Sequence, residues 1–122
     1  MATEMQSQIV DINVEELLAR VENDRELMQD LLEMFREEYP RQRQTLQQAL
    51  DANDMAQIHS AGHTVKGMCA NLAMPQAAQA AARVEMAGKT QNAGDLVEAV
   101  ADLDRAVARI WNQLDQNAGA PA

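Results

Sequence analysis

The stretch His59–Met74, HSAGHTVKGMCANLAM, decides how this chain is read. Ile58, just before it, opens a stripe that returns at Val65 and Leu72, with Ala61, Met68 and Cys69 between them. That spacing is one face of a helix turned toward a core. The other side carries His59, His63, Lys66, Gly67 and Ala70. His63, Lys66 and Gly67 stand at i, i+3 and i+4, so an imidazole, a cation and a residue without a side chain share one face. Gly67 costs about 1 kcal/mol against Ala in a helix interior. A helix that keeps it there needs the space above it, or uses it for close packing against a neighbour.

Working outward, four segments open with an acceptor side chain and carry Glu or Gln three residues later: Asn13 with Glu16, Asn23 with Glu26, Asp54 with Gln57 and Asp95 with Glu98. These are capping-box-like helix starts. Pro75 marks a fifth, since its missing N–H is not needed in a first turn. The predicted helices are about Val14–Val21, Asp24–Leu50, Met55–Leu72, Pro75–Ala87 and Leu96–Leu114, with Gly88–Gly94 a polar connection. In the second, Leu27, Leu31, Met34, Phe35, Tyr39, Leu46, Ala49 and Leu50 follow the helical period. Pro40 predicts a bend or break there. The last helix presents Leu96, Val100, Leu103, Val107, Ile110, Trp111 and Leu114 at helical spacing. No strand or hairpin pattern competes. Short connections between amphipathic helices imply antiparallel neighbours, so the expected fold is all-α: an antiparallel four-helix bundle with one short additional N-terminal helix. Residues 1–10 are read as a flexible N-terminus, 11–116 as the bundle and 117–122 as a flexible tail. The initiating Met favours a stand-alone protein.

Composition agrees. Across 122 residues, 47% are hydrophobic, yet Phe35, Tyr39 and Trp111 are the whole aromatic complement. The apolar content is Ala, Leu, Met and Val, and the first three are strong helix formers. This length suits one domain with one core. The net charge of −9 argues against nucleic acid or an anionic membrane as partner. The charge is uneven: residues 1–53 carry net −7, residues 54–94 net +1 and residues 95–122 net −3. The histidine segment is thus the one part that is not acidic, which suits the handling of an anion. Cys69 is alone, so no internal disulfide forms, and no apolar run resembles a signal peptide or a membrane span. A cytoplasmic protein is expected.

A lone helical histidine is more often structural than functional, and an isolated lysine is more often a solvated one. His59 and His63, at i and i+4, also have a spacing that can hold zinc, with Glu85 the one plausible third ligand. No Glu follows His59 as in zinc proteases, and no phosphate-cradling loop or nucleophile elbow is present.

His63-Thr64-Val65-Lys66-Gly67 followed by Ala70-Asn71-Leu72 resembles the signature of the histidine-containing phosphotransfer (HPt) domain. Leu17-Leu18-Ala19-Arg20-Val21, the Asn23-Asp24 turn and Glu26-Leu27 through Tyr39-Pro40 resemble the family's N-terminal half, so the resemblance spans about residues 12–115. Met68, Cys69 and Ala73 depart from it, the last often Gly in the family. The resemblance implies a phosphorelay carrier in two-component signal transduction. His63 would accept a phosphoryl group from a receiver-domain aspartyl phosphate and pass it to another receiver, without kinase or hydrolase activity of its own. Lys66 would contact the phosphoryl group, Gly67 would give clearance, Glu85 would orient the imidazole and Lys89 would add a second positive contact. The partner receivers, in a hybrid histidine kinase or a response regulator, would dock over His59, Ala70, Ala78 and Ala82. The chain would be a monomer with no cofactor, divalent metal being expected on the receiver. The alternatives are a receiver-binding module without transfer, or a metal-binding bundle through His59 and His63.

Overall fold

A computed structural model describes residues 11–119, with side chains described through Asp115. Five helices follow in chain order: α1 Val14–Arg20, α2 Arg25–Asp51, α3 Met55–Asn71, α4 Pro75–Thr90 and α5 Ala93–Gly119. No strand occurs among the described residues. Residues 1–10 and 120–122, which hold the expected N-terminal segment and the end of the expected tail, lie outside the description. The last helix passes its expected end near Leu114 and continues to Gly119.

The starts follow cap chemistry. The Asn13 side chain accepts from the Glu16 N–H and the Asp54 side chain from the Gln57 N–H, as the spacing predicts. Two caps shift. Asp24, not Asn23, caps α2 by accepting from Leu27 N–H, while Asn23 takes a left-handed φ of 64° in the preceding turn. Asn92, not Asp95, caps α5: its side-chain oxygen accepts from the Asp95 N–H, so α5 begins earlier than expected. Pro75 does stand at the first turn of α4. Arg20 reaches across to donate to the carbonyls of Ala70 and Asn71 at 2.8 and 3.0 Å, tying α1 to the C-terminal end of α3.

Three sequence readings need correction. Of the bend or break expected at Pro40, the break does not occur: α2 runs unbroken through it. The cost of the lost backbone bond is offset by burial on either side, of Phe35 and Tyr39 before it and Leu46 after it. The buried stripe of α2 is Met28, Leu32, Phe35 and Tyr39, while Leu27 and Met34 are 43% and 62% exposed. Phe35, Tyr39, Leu46 and Ala49 are buried as expected; the difference lies in the first turns, where Met28 and Leu32 take the inward positions in line with Phe35. Phe35 lies 5.4 Å from Tyr39 and 5.3 Å from Trp111, centroid to centroid, so the chain's three aromatics meet where α2 faces α5. Finally, Gly88 is no connection residue: α4 continues to Thr90 and Gly88 is buried within it.

Cross-helix pairs fix the directions. Arg36 meets Asp115 and Arg43 meets Asp104, so α2 and α5 run antiparallel. Gly62 faces Glu85 and His59 faces Gly88, so α3 and α4 do too. Ile58, Val65, Cys69, Val84, Leu103 and Ile110 fill the centre. The α2–α5 side is closed by aromatics and arginines, the α3–α4 side by Gly and Ala, so α3 and α4 approach far more closely.

Left-handed residues sit at the turns. Ala73 has φ 57° in the α3–α4 connection, a conformation that favours a residue without a Cβ. Gln91, exposed at the end of α4, has φ 57° and ψ 39°. Gln91→Gly is therefore expected to stabilise the fold by roughly 1 kcal/mol, raising Tm by about 4 °C. Thermal unfolding followed by circular dichroism checks this, and an unchanged or lower Tm would count against it.

Candidate functional site

The site lies on the outer face of α3 and is completed by α4. The Asp54 cap and the stripe Ile58, Ala61, Val65 and Cys69 fix the roll of α3, which leaves His63, Gly67 and Ala70 exposed. Because α4 runs antiparallel alongside, Glu85 falls opposite Gly62, next to His63.

Glu85 is the hub. Its Oε2 lies 2.7 Å from His63 Nδ1 and its Oε1 lies 2.6 Å from Lys66 Nζ. His59 Nε2 is 3.8 Å from Oε2. The carboxylate is largely covered, at 17% side-chain exposure, whereas the His63 side chain is 68% exposed. The hydrogen bond from Lys66, reinforced by the one from His63, holds the Glu85 carboxyl below its ordinary value of 4.5, against the opposing effect of its surroundings. A carboxylate only accepts, so a neutral His63 ring in this contact carries its proton on Nδ1. The lone pair is then on Nε2, at the far side of an exposed ring.

The depressed value has a testable sign. Stabilisation from the ionised Glu85 is present above 4.5 and lost as pH falls through the lower folded value. An NMR titration of the Glu85 carboxyl should show a midpoint below 4.5. A midpoint at or above it would contradict the double pairing.

The other predicted residues fall as follows. A Cβ at Gly67 would meet nothing within 4 Å, so this glycine opens onto free space and serves no helix packing. Lys66 stands beside His63 as expected but is engaged by Glu85 rather than free. Lys89 is exposed one turn beyond Glu85, without an ion pair among the described residues. Ala70 is exposed, while Ala78 and Ala82 are half-buried on the face that leads to Glu85. His59 is half-exposed at the edge of the cluster. Among the described residues, no group of three or more His, Cys, Asp or Glu side chains could hold a metal ion.

Sequence reasoning missed Gly62 and Gly88. A Cβ at Gly62 would lie 2.6 Å from Glu85 N and 2.9 Å from its Cα; at Gly88 it would lie 2.7 Å from His59 N. The available signal at Gly62 is a glycine inside a helix, directly before the histidine.

Residues 30–115 match the family model of the Hpt domain. That segment holds more than half of the chain and all of the site, and the chain belongs to the Hpt domain family, whose business is histidine phosphotransfer in phosphorelays. The matched segment begins inside α2, so α1 lies outside it. No curated protein and no solved structure matches the chain. No helix among the described residues is long and apolar enough to cross a membrane.

Proposed function

We propose that this chain is a cytoplasmic phosphorelay carrier that takes a phosphoryl group onto His63 from the aspartyl phosphate of one receiver domain and delivers it to another. The observation that carries this is an exposed imidazole whose inner nitrogen is held by a largely covered carboxylate. In the step proposed, the Nε2 lone pair attacks phosphorus in line. The bond from phosphorus to the receiver's aspartyl oxygen breaks, and the aspartate leaves as a carboxylate. Nδ1 keeps its proton on Glu85, which offsets the positive charge that the ring gains. Lys66, with three N–H donors and partial exposure, can hold Glu85 with one and turn another toward the phosphoryl oxygens. Lys89 adds charge from the next turn of α4. Delivery to the second receiver is the same step reversed. The carrier is monomeric and supplies no kinase, hydrolase or metal chemistry; the divalent cation belongs to the receiver.

The receiver docks over the open face of α3, where Gly67 and Ala70 let it approach, flanked by His59, Ala78 and Ala82. On the α2 side of that face, Leu31, Met34, Met68 and Leu72 line an apolar cleft of about 240 Å³. The interface is modest and the affinity micromolar, because a carrier must leave quickly. Mixing the protein with a panel of phosphorylated receivers should show label moving onto it from a cognate one within seconds. With that receiver unphosphorylated, NMR shifts should cluster on the exposed face of α3. Shifts confined to α5 around Trp111 would contradict the surface, and no transfer from any receiver would contradict the function.

A further inference from the structure

Two glycines in the α3–α4 interface do something different from Gly67. Gly62 of α3 faces the backbone of Glu85 on α4, and Gly88 of α4 faces the backbone of His59 on α3. The arrangement is reciprocal: each glycine lies against a member of the cluster on the other helix. A Cβ at Gly62 would stand 2.6 Å from Glu85 N, 2.9 Å from Glu85 Cα and 3.2 Å from the Ala81 carbonyl oxygen. At Gly88 it would stand 2.7 Å from His59 N and 3.0 Å from both His59 Cα and the Met55 carbonyl oxygen. All of these are backbone atoms, so no side chain can swing aside to make room. Any other residue at either position has to push the helices apart by roughly 1 Å to restore ordinary contacts of about 3.5–4.0 Å. By contrast, a Cβ at Gly94 would meet its nearest atom, Asn92 Oδ1, at 3.7 Å.

We infer that Gly62 and Gly88 are positioning residues: by holding α3 and α4 at backbone contact beside the site, they keep the Glu85 carboxylate on His63 Nδ1 and so set the tautomer of the imidazole. Glu85 reaches His63 through two methylenes to make a contact of 2.7 Å. An added 1 Å takes such a contact beyond the ~3.2 Å limit of a good hydrogen bond. Without that acceptor, the neutral ring is free to move its proton to Nε2, which puts the lone pair on Nδ1, against α4 and away from an arriving partner. The consequence for transfer rests on His63 being the acceptor; the tautomer itself is a property of the resting protein.

The test is nitrogen NMR of the His63 ring, at a pH where it is neutral, in the full chain and in Gly62→Ala, Gly88→Ala, Gly94→Ala and Glu85→Asp. The full chain and Gly94→Ala should show the proton mainly on Nδ1. Gly62→Ala and Gly88→Ala should shift the population toward Nε2–H while keeping their helical circular dichroism. Their rate of accepting phosphate should fall on the order of 10- to 100-fold. Gly62→Ala with the parent tautomer would overturn the inference. Should the glycine variants not fold, Glu85→Asp decides: it withdraws the carboxylate by one methylene with both glycines in place. A loss of the Nδ1–H form there supports a site without slack, and an unchanged tautomer refutes it. Tautomer shifts as described, with no phosphotransfer even in the parent chain, would sink the acceptor reading and leave the positioning role standing.

Discussion

His63→Gln should abolish acceptance of phosphate from a phosphorylated receiver and leave the bundle folded. The glutamine side chain occupies similar space and can still donate to Glu85 from its amide nitrogen, but that nitrogen has no lone pair free to attack phosphorus. The His63 side chain is 68% exposed, so stability should change by no more than about 0.5 kcal/mol. His59→Gln is the informative companion. His59 lies 3.8 Å from the same carboxylate oxygen but has neither the short contact of His63 nor an open glycine one turn on. Transfer should survive in it. Acid-labile label persisting in His63→Gln would remove His63 from the role.

The second large effect is at Gly67, where stability and function should move in opposite directions. Nothing lies within 4 Å of a Cβ at this position, so Gly67→Ala should gain the helix propensity difference, about 1 kcal/mol, at no steric cost. Gly67→Gln should also be at least as stable as the parent, since glutamine is a good helix former. Its side chain, however, would stand one turn from His63 in the space the receiver must enter. Transfer should fall on the order of 100-fold, as misplacement of reacting groups by about 1 Å can cost that much. Urea unfolding and single-turnover transfer, measured on the same preparations, check both halves. Parent-like transfer in Gly67→Gln would show that the open space above the helix has no functional purpose.

Much of this was legible in the sequence because it rests on spacing. The stripe from Ile58 to Cys69 fixed which side of α3 is buried, and therefore that His63, Gly67 and Ala70 face outward. The His63–Glu85 contact followed from the family pattern and agrees with the antiparallel run of α4. What was not legible has a common cause: it depends on which of two equivalent local choices tertiary contacts select. Asn23 and Asp24 are both good caps, and the turn takes Asn23 into the left-handed region, leaving Asp24 to cap. Leu31 and Leu32 both stand one turn before Phe35, which the spacing places inside, and it is Leu32, with Met28, that is buried beside the cluster of Phe35, Tyr39 and Trp111. Gly88 next to Lys89, Thr90 and Gln91 reads as a turn by composition, yet the approach of α3 makes it a buried helix residue. The engagement of Lys66 by Glu85 could not be foreseen either, since it needs the distance between two helices that glycines set.

The most direct test of the account is to locate the phosphate after transfer from a cognate receiver. The phosphorylated protein would be digested under alkaline conditions that preserve phosphohistidine, its peptides sequenced by mass spectrometry, and the linkage of the intact protein read by phosphorus–nitrogen NMR coupling. The geometry at Glu85 predicts a single phosphoryl group on His63, bonded to Nε2, with the Nδ1 proton still present. Phosphate on His59, on Nδ1 of His63, or on no histidine at all would contradict it.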